Sequence, residues 1–345
     1  VQHLALHEAA HCDGAPHERA TDAGMPGVRN PRMRALMAQG VRAAQSDATV
    51  LITGESGVGK ERLAAFIHQH SRRSHGPFIP VNCGALPDTL LENELFGHRR
   101  GAFTGAIDDR PGLVEAAHNG TLFLDEVGEL LPQTQVKLLR VLQEHDVRRL
   151  GDTRSRRVDL RIVAATNRDL AADVRAHRFR EDLYYRLNVV SFHIPPLRER
   201  TDDLRALIDL LLQQIARTLQ RPIAGLTPRA LDRLLQYHWP GNVRELENAL
   251  ERACVLATRP HLDLDDLPPT IRRVDTPAMP DDGQLRPLAD IEQEYILFVL
   301  RQCHGNKTRA ARALHICQDT LHRKLKRYRQ RELTDSSLTE NQRPL

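Results

Sequence analysis

The chain has little cysteine and no long apolar run in its 345 residues. No stretch approaches the roughly 18 apolar residues of a membrane span, and no secretory signal segment stands near the start. These absences argue against any membrane association and lead us to expect a cytoplasmic protein. The cysteines are scattered and odd in number, which predicts free thiols rather than a disulfide framework. They are Cys12, Cys83, Cys254, Cys303 and Cys317.

The formal net charge of +4 is unevenly distributed along the chain. Between His304 and Arg331, nine Lys and Arg residues stand against one acid, Asp319. The rest of the chain carries 40 basic and 44 acidic residues. A basic C-terminal module is typical of contact with an anionic polymer, although a solvated helix face has the same composition.

Short β-rich runs alternate with helical patterns between about Asn30 and Ala176. The spacing of Val136, Leu139 and Leu142 indicates one of these helices. Such alternation predicts the α/β fold class, with a parallel sheet flanked by helices. The predicted strands are Val50–Ile52, Phe78–Val81, Leu122–Leu124, Leu160–Ala165 and Val189–Ile194.

After Pro195 the pattern becomes helical throughout, and three amphipathic stripes predict a small helical lid. The stripes are Leu204, Leu207, Leu211 and Ile215, then Leu231, Leu234 and Leu235, then Val243, Leu246, Leu250 and Ala253. The predicted domains are a tail or truncated regulatory remnant at 1–28, the α/β core at 29–196, the lid at 197–273, a linker at 274–287, a DNA-binding domain at 288–332 and a tail at 333–345.

Residues 54–61 read GESGVGKE and lie between an apolar run and a helical pattern. Such a loop turns backbone N–H groups toward phosphates, the helix N-terminus adds its dipole, and Lys60 supplies a positive charge. Glu61 stands where Ser or Thr usually holds magnesium, so Mg²⁺ would rely on water and on Asp125. The predicted ATP-binding residues are Gly54, Glu55, Ser56, Gly57, Val58, Gly59, Lys60 and Glu61.

A second apolar strand, TLFLDE at 121–126, ends in two acids. We predict that Asp125 reaches the magnesium shell and that Glu126 polarises the attacking water. A strand that ends in solvated acids is the alternative. Asn167 ends the next strand, where its amide would sense the γ-phosphate.

Three arginines are further candidates for the same site. Arg180 and Arg186 would act in trans on a neighbouring subunit's γ-phosphate, with surface salt bridges as the alternative. Arg244 would reach the nucleotide from the first turn of a lid helix. Trp239, just before that helix, we expect in the lid core.

The run GAFTGA lies between the phosphate loop and the acidic strand end. Glycine at two positions gives it hinges around an apolar tip and a hydroxyl, so nucleotide chemistry can move whatever the loop touches. A flexible glycine loop with no partner is the alternative. Its residues are Gly101, Ala102, Phe103, Thr104, Gly105 and Ala106.

In this order, the motifs resemble the AAA+ domain of the NtrC-like bacterial enhancer-binding activators, which work with sigma-54 RNA polymerase. The resemblance covers roughly residues 29–272. It also accounts for Glu61, since the family has Glu there, and it implies that a second loop at about 151–157 supports the first. By this resemblance, Gly101–Ala106 contact sigma-54, and Asn82 is the switch residue that relays the γ-phosphate state to Glu126. The remaining roles are sensor I for Asn167, trans fingers for Arg180 and Arg186, and sensor II for Arg244.

The mechanism implied by the resemblance is mechanical. ATP with Mg²⁺, hydrolysed at the subunit interfaces of a ring that is typically hexameric, would move the GAFTGA loops against sigma-54 and remodel the closed promoter complex into an open one. The runner-up is a DNA-binding regulator of the same architecture that no longer remodels polymerase.

The C-terminal module reads as two helices, at about 304–314 and 318–329, with a turn at His315 to Cys317. So short a turn and a basic outer face suit a helix-turn-helix that binds double-stranded DNA upstream of a promoter, and the module resembles the Fis type. His315 stands where glycine is frequent. The predicted DNA-binding residues are Lys307 and Thr308 on the first helix, Gln318, Asp319, Thr320, His322 and Arg323 in the major groove, and Lys324, Lys326 and Arg327 at phosphates.

The helix before this module, at about 288–303, carries more apolar surface than one helix buries, and we expect it to form a dimer. Packing within the monomer is the alternative. Its apolar residues are Ile291, Tyr295, Leu297, Phe298 and Leu300.

A zinc-protease pattern, HEAAH, stands at residues 7–11. Two His residues one helical turn apart bind metal in such proteases, and the Glu activates water. His3, Cys12 and His17 are further potential ligands. Fewer than thirty residues precede the predicted ATPase core, so a disordered or truncated tail is the preferred interpretation.

Overall fold

The computed structural model describes residues 28–103, 105–272, 287–303 and 305–328. They form two compact units that divide after Arg272. Several predictions concern the remaining residues and so lie outside the described ones. They are the two tails, the HEAAH motif, almost all of the linker, Cys12, Thr104 and His304.

A five-stranded parallel sheet forms the centre of the first unit, in the order β2-β3-β4-β1-β5. Each predicted run matches a strand to within one residue at either end, which confirms the α/β prediction. The strands are β1 Val50–Thr53, β2 Phe78–Asn82, β3 Thr121–Asp125, β4 Arg161–Thr166 and β5 Val190–His193.

Helices cover both faces of this sheet. Along β3, Leu122 and Leu124 pack into one apolar cluster and Phe123 into the other, because successive side chains of a strand point to opposite faces. The helices are α1 Pro31–Ala44, α2 Lys60–Gln69, α3 Asp88–Phe96, α4 Leu113–Ala116, α5 Pro132–Glu144, α6 Leu170–Arg175 and α7 Glu181–Leu187.

The apolar stripe predicted for α5 is only partly right. Leu139 is buried and Leu142 packs against the core, but Val136 is exposed. Leu138 and Val141 complete the buried face instead, so the helix is rotated from the predicted stripe.

The lid is a bundle of helices, and all three predicted stripes pack into one cluster. Trp239 is fully buried there, as predicted, and its indole Nε1–H donates to the Leu234 carbonyl at 2.9 Å. The lid helices are α8 Thr201–Thr218, α9 Pro228–Gln236, α10 Asn242–Leu256 and α11 Pro269–Arg272.

The second unit contains α12 Leu288–Gln302, α13 Lys307–Ala313 and a helix at 318–328, called α14 here. Ala310, Leu321 and Tyr328 are buried in its core. The side chain of Asn306 accepts the N–H of Arg309 at 3.1 Å, which is why α13 starts three residues later than predicted. The two-helix prediction is otherwise confirmed.

Two other predictions concern the described residues as a whole. Cys83, Cys254, Cys303 and Cys317 are free, as expected. Among the residues that the structure describes, no helix has the length and apolar character needed to cross a membrane.

Candidate nucleotide site and effector loop

The phosphate loop joins β1 to the N-terminus of α2. Gly59 caps α2 in a left-handed conformation, with φ 103°. Gly57 has φ 77°, and a Cβ there would collide with the backbone of Gly241. Glycine is therefore required at Gly57 both by its backbone angle and by the approach of the lid.

Lys60 is almost completely buried at the start of α2. Its Nζ donates to the carbonyls of Gly54 at 3.1 Å and Glu55 at 3.4 Å, and to Glu126 Oε1 at 3.3 Å. A buried ammonium requires such partners. The lysine is thus held at the mouth of the loop, where it can exchange these contacts for phosphate oxygens.

The acids at the end of β3 lie beside this lysine. Asp125 Oδ1 accepts the backbone N–H of Glu126 at 3.0 Å. Burial and the neighbouring Glu126 charge raise the pKa of Asp125, against the opposing effect of Lys60. Glu126 itself has left-handed backbone angles, φ 53° and ψ 47°. This conformation costs a non-glycine residue about 1 to 3 kcal/mol and is frequent at functional sites.

Two asparagines lie next to the acids. The backbone N–H of Asn167 donates to Glu126 Oε2 at 3.1 Å. Asn82 is the register partner of Asp125 on the neighbouring strand, and its Oδ1 accepts the N–H of Gly84 at 2.9 Å. The predicted switch residue Asn82 and the predicted sensor I residue Asn167 therefore lie at the carboxyl edge of the sheet, beside the acids.

One polar cavity of about 240 Å³ is lined by three of the seven predicted catalytic residues and by five of the eight predicted ATP-binding residues. A second cavity, of about 460 Å³ and mainly apolar, shares Gly59, Arg62 and Val243 with the first. Val28, Met33, Phe66 and Leu207 are among its lining residues. The polar cavity is lined by Ser56, Gly57, Gly59, Lys60, Glu61, Arg62, Asp125, Glu126, Val243, Arg244 and Glu247.

The first turn of α10 binds the phosphate loop directly. The N–H of Val243 donates to the Gly57 carbonyl at 2.9 Å, and an Arg244 guanidinium N–H donates to Ser56 Oγ at 3.2 Å. The buried Asn242 donates through Nδ2 to the Ser56 carbonyl at 3.0 Å. Arg244 thus lies at the rim of the polar cavity, where it was expected.

Two arginines before α8 reinforce this connection. Arg198 forms two hydrogen bonds to the Glu55 carboxylate, at 2.6 and 2.9 Å. Together with Asn242, it lowers the pKa of Glu55 to about 2. Arg200, which is buried, donates to the Val58 carbonyl at 2.7 Å. The lid therefore contacts the loop at four consecutive residues.

Arg180 and Arg186 lie away from both cavities of their own chain. Arg180 precedes the first turn of α7 and pairs with Asp182 at 2.7 Å. Arg186 is exposed on the same helix. The structure does not bring these two residues to the site formed by this chain.

The GAFTGA residues are framed by a short antiparallel pair, Gly97–His98 with Arg110–Pro111. The loop closes through the N–H of Gly101, which donates to the Ala106 carbonyl at 2.9 Å. Phe103 is 44% exposed and its ring lies edge-on to His98, with centroids 5.0 Å apart. An apolar tip is thus presented outward on a closed loop.

A second hairpin, Asp146–Val147 with Arg156–Arg157, lies against the first. The N–H of Arg99 donates to the Leu150 carbonyl at 2.9 Å. A Cβ on Gly151 would lie 2.9 Å from the Cβ of Ala102. The two loops are therefore in direct contact at their bases.

In the second unit, most of the predicted DNA-binding residues are exposed on α13 and α14. Lys324 is an exception, because its Nζ pairs with Glu292 at 2.7 Å. Thr320 is half-buried. His315 has φ 52°, so the residue that replaces the frequent glycine does adopt a left-handed conformation.

Three protein-family models match the chain in sequence. A sigma-54 interaction domain matches residues 27–193, an AAA+ ATPase lid domain residues 198–283, and a bacterial regulatory protein domain of the Fis family residues 287–328. The chain is 48% identical to the transcriptional regulatory protein ZraR of Escherichia coli K12 over 312 residues, which is 90% of this chain and 70% of ZraR.

The chain belongs to the sigma-54-dependent transcriptional activators.

Other relatives agree with this assignment. The regulatory protein AtoC of Escherichia coli K12 is 47% identical over 87% of the chain and 67% of AtoC. A crystal structure of NtrX from Brucella abortus in complex with ATP superposes with a TM-score of 0.71, at 33% identity over 88% of the activator and 69% of NtrX. The activator is thus an ATP-binding AAA+ ATPase with a helix-turn-helix DNA-binding domain.

The activator's predicted site residues are brought together only in part. Sequence reasoning missed the apolar cavity and the residues that join lid to loop. Both are built from segments far apart in sequence, such as Met33 on α1 and Leu207 on α8. A signal existed only for the lid, where Arg198 and Arg200 flank Glu199 just before α8.

Proposed function

We propose that the activator hydrolyses ATP in the polar cavity and uses the energy to move its GAFTGA loop against sigma-54. The adenine base of ATP would occupy the adjoining apolar cavity, since the two cavities share lining residues. Lys60 and the N-terminus of α2 would hold the phosphates. The observation that carries the proposal is the convergence of Lys60, Asp125, Glu126 and Arg244 on one cavity.

Mg²⁺ fits the donors present at this cavity. The carboxylates of Asp125 and Glu61 both line it, and hard oxygen ligands are those that magnesium prefers. The raised pKa of Asp125 indicates a carboxylate that a nearby cation would stabilise in its charged form. Asp125 and Glu61 would hold the ion, which would neutralise charge on the phosphates.

Glu126 would accept the proton of the attacking water. In the structure its two oxygens are engaged by Lys60 and by the N–H of Asn167. Phosphate oxygens would compete for Lys60, and this would free Glu126 Oε1 to accept the water proton. ATP binding and activation of the attacking water would thus be linked through Lys60.

The state of the γ-phosphate would be transmitted to the GAFTGA loop along the carboxyl edge of the sheet. Asn82, whose Oδ1 accepts the N–H of Gly84, would donate through its Nδ2 to the Glu126 carboxylate according to the state of the γ-phosphate. Asn167 would report on the same phosphate through its contact with Glu126. The loop framed by Gly97–His98 would then rise or fall against sigma-54 and convert the closed promoter complex into the open one.

Assembly would supply the remaining parts. Because Arg180 and Arg186 lie away from both cavities of their own chain, we propose that they complete a neighbour's site in a hexameric ring. The exposed Tyr295 on α12 supports a dimer contact that would place two helix-turn-helix units on paired half-sites. We place the activator in the cytoplasm, with promoter DNA and RNA polymerase.

Substitution of Thr104 by alanine tests the proposal. We expect Thr104→Ala to retain ATP hydrolysis and to lose open-complex formation at a sigma-54 promoter, while Thr270→Ala, an exposed lid residue, changes neither. Open complexes formed at the wild-type rate by Thr104→Ala would refute the loop's role. That result would favour the alternative, a DNA-binding regulator of the same architecture that no longer remodels polymerase.

A further inference from the structure

The two loops next to each other on the first unit differ in chemistry. The segments 97–111 and 146–157 contain eight arginines, four aspartates and no lysine. The first segment carries two exposed large apolar side chains, Phe103 and Ile107. The second segment has no exposed large apolar side chain among its residues, all of which the structure describes. The second hairpin is therefore a surface of charge and hydroxyl groups.

Half of the arginines are neutralised within these loops or by their neighbours. Arg99 pairs with Asp109 at 3.4 Å, Arg156 with Asp152 at 2.9 Å. The other two pairs are Arg110 with Glu94 at 3.1 Å and Arg149 with Glu115 at 2.6 Å.

The other half carry unneutralised charge. Arg100, Arg148, Arg154 and Arg157 make no ion pair within the described part of the chain. Asp146 lies opposite Arg157 in the strand register, but the two side chains form no ion pair. Three of the four lie on the second hairpin, so its outer surface is cationic.

We propose that this hairpin surface, defined by Thr153, Arg154, Ser155 and Arg157, binds the phosphate backbone of double-stranded DNA. All four residues are exposed. Arginine, serine and threonine are among the side chains that contact DNA phosphates, and the arginine fork matches two phosphate oxygens. Recognition of an acidic protein segment is disfavoured, because protein interfaces have an apolar core and this hairpin offers none.

The inference goes beyond the proposed function. It gives the two adjoining loops different partners, an apolar tip for sigma-54 and a cationic hairpin for DNA. Because Gly151 and Ala102 are in contact, a hairpin held on DNA would anchor the base of the moving loop.

Salt dependence of DNA binding tests this surface. The probe is a fluorescein-labelled DNA duplex of arbitrary sequence, and its binding is measured by fluorescence anisotropy. The protein is the full chain with Arg323→Ala and Lys326→Ala, which weaken DNA binding by the helix-turn-helix. Arg154→Ala with Arg157→Ala is compared with the control Arg217→Ala with Arg252→Ala. The two control arginines are exposed on α8 and α10, and their substitution removes the same charge as the hairpin variant does.

Each lost phosphate contact lowers the slope of log affinity against log salt by about 0.9. The hairpin variant should therefore have a slope smaller by about 1.8, which is a loss about 12-fold smaller than that of the control between about 50 and 200 mM salt. Lysine at both positions should restore the slope. ATP hydrolysis should be unchanged, because Arg154 and Arg157 line neither the polar nor the apolar cavity.

Equal slopes for the hairpin variant and its control would overturn the proposal. If sigma-54 binding were unchanged as well, the surface would be a solvated face. If sigma-54 binding fell instead, the partner would be a protein. Neither result would bear on ATP hydrolysis or on the Thr104 test, so this inference can fail while the proposed function stands.

Discussion

Asn242 holds the lid to the phosphate loop, and its replacement has calculable consequences. Its Oδ1 accepts the N–H of Leu197 at 2.8 Å, and its Nδ2 donates to the carbonyl of Ser56 at 3.0 Å and to Glu55 Oε2 at 3.1 Å. The residue is fully buried and has φ 53°. Asparagine tolerates this left-handed conformation better than alanine does.

Asn242→Ala leaves the buried N–H of Leu197 without a partner, at a cost of about 1 to 3 kcal/mol. The left-handed backbone adds about 1 kcal/mol. We therefore expect the free energy of unfolding to fall by about 2 to 4 kcal/mol. Loss of the two bonds to the loop should also raise the KM for ATP by about 30-fold, since each bond contributes about 1 kcal/mol to the loop's ordered conformation.

Urea unfolding and steady-state hydrolysis measure the two effects. Asn119→Ala is the matched control, because Asn119 is exposed and has φ 60°, so it should lose only the backbone contribution. Asn242→Asp distinguishes the effect of the Leu197 hydrogen bond from that of the Glu55 hydrogen bond. It can keep the acceptor for the Leu197 N–H while placing a second carboxylate beside Glu55. It should bind ATP at least as weakly as Asn242→Ala, because the new carboxylate faces two acceptors, Glu55 Oε2 and the Ser56 carbonyl. A wild-type KM in both Asn242 variants would refute the reasoning.

Three further predictions follow from single residues. Glu126→Gln should bind ATP with an affinity close to wild type, by calorimetry, yet lose at least about 100-fold in phosphate release, as is typical when a positioned base is removed; normal turnover would exclude Glu126 as the base. His315→Gly should raise the melting temperature of the second unit, because glycine relieves a left-handed φ of 52° at a gain of about 1 kcal/mol; an unchanged or lower value would contradict this. The pKa of Glu55 is lowered to about 2, so its contribution to stability is present above its ordinary pKa and is lost as pH falls toward 2; Glu55→Gln should show less loss of stability over that range, and an identical pH profile would disprove the contribution.

Local patterns sufficed for most of the sheet and the phosphate loop. The apolar runs predict strands because both faces of β3 and β4 are buried, and the loop is specified by glycines near one lysine. The stripe predicted for α5 was wrong at Val136, because burial on α5 depends on which neighbours the helix meets, not on its period alone. Such neighbours cannot be read from one segment.

The contacts that complete the site are long-range. Asn242 and Ser56 are 186 residues apart, and Arg200 and Val58 are 142 apart. No local signal links such pairs, which are set by how the lid packs on the core. The loop hairpins show the same limit, since their proximity depends on contacts between Arg99 and Leu150.

The central claim is that ATP hydrolysis drives open-complex formation through the GAFTGA loop, and the ratio of open complexes formed to ATP hydrolysed measures it most directly. Phe103→Ala should lower this ratio by about 30-fold with hydrolysis unchanged, because truncating an aromatic anchor costs an interface about 2 kcal/mol. Leu256→Ala, which removes an exposed apolar side chain from the lid, should leave it unchanged. A ratio equal to wild type in Phe103→Ala would contradict the account.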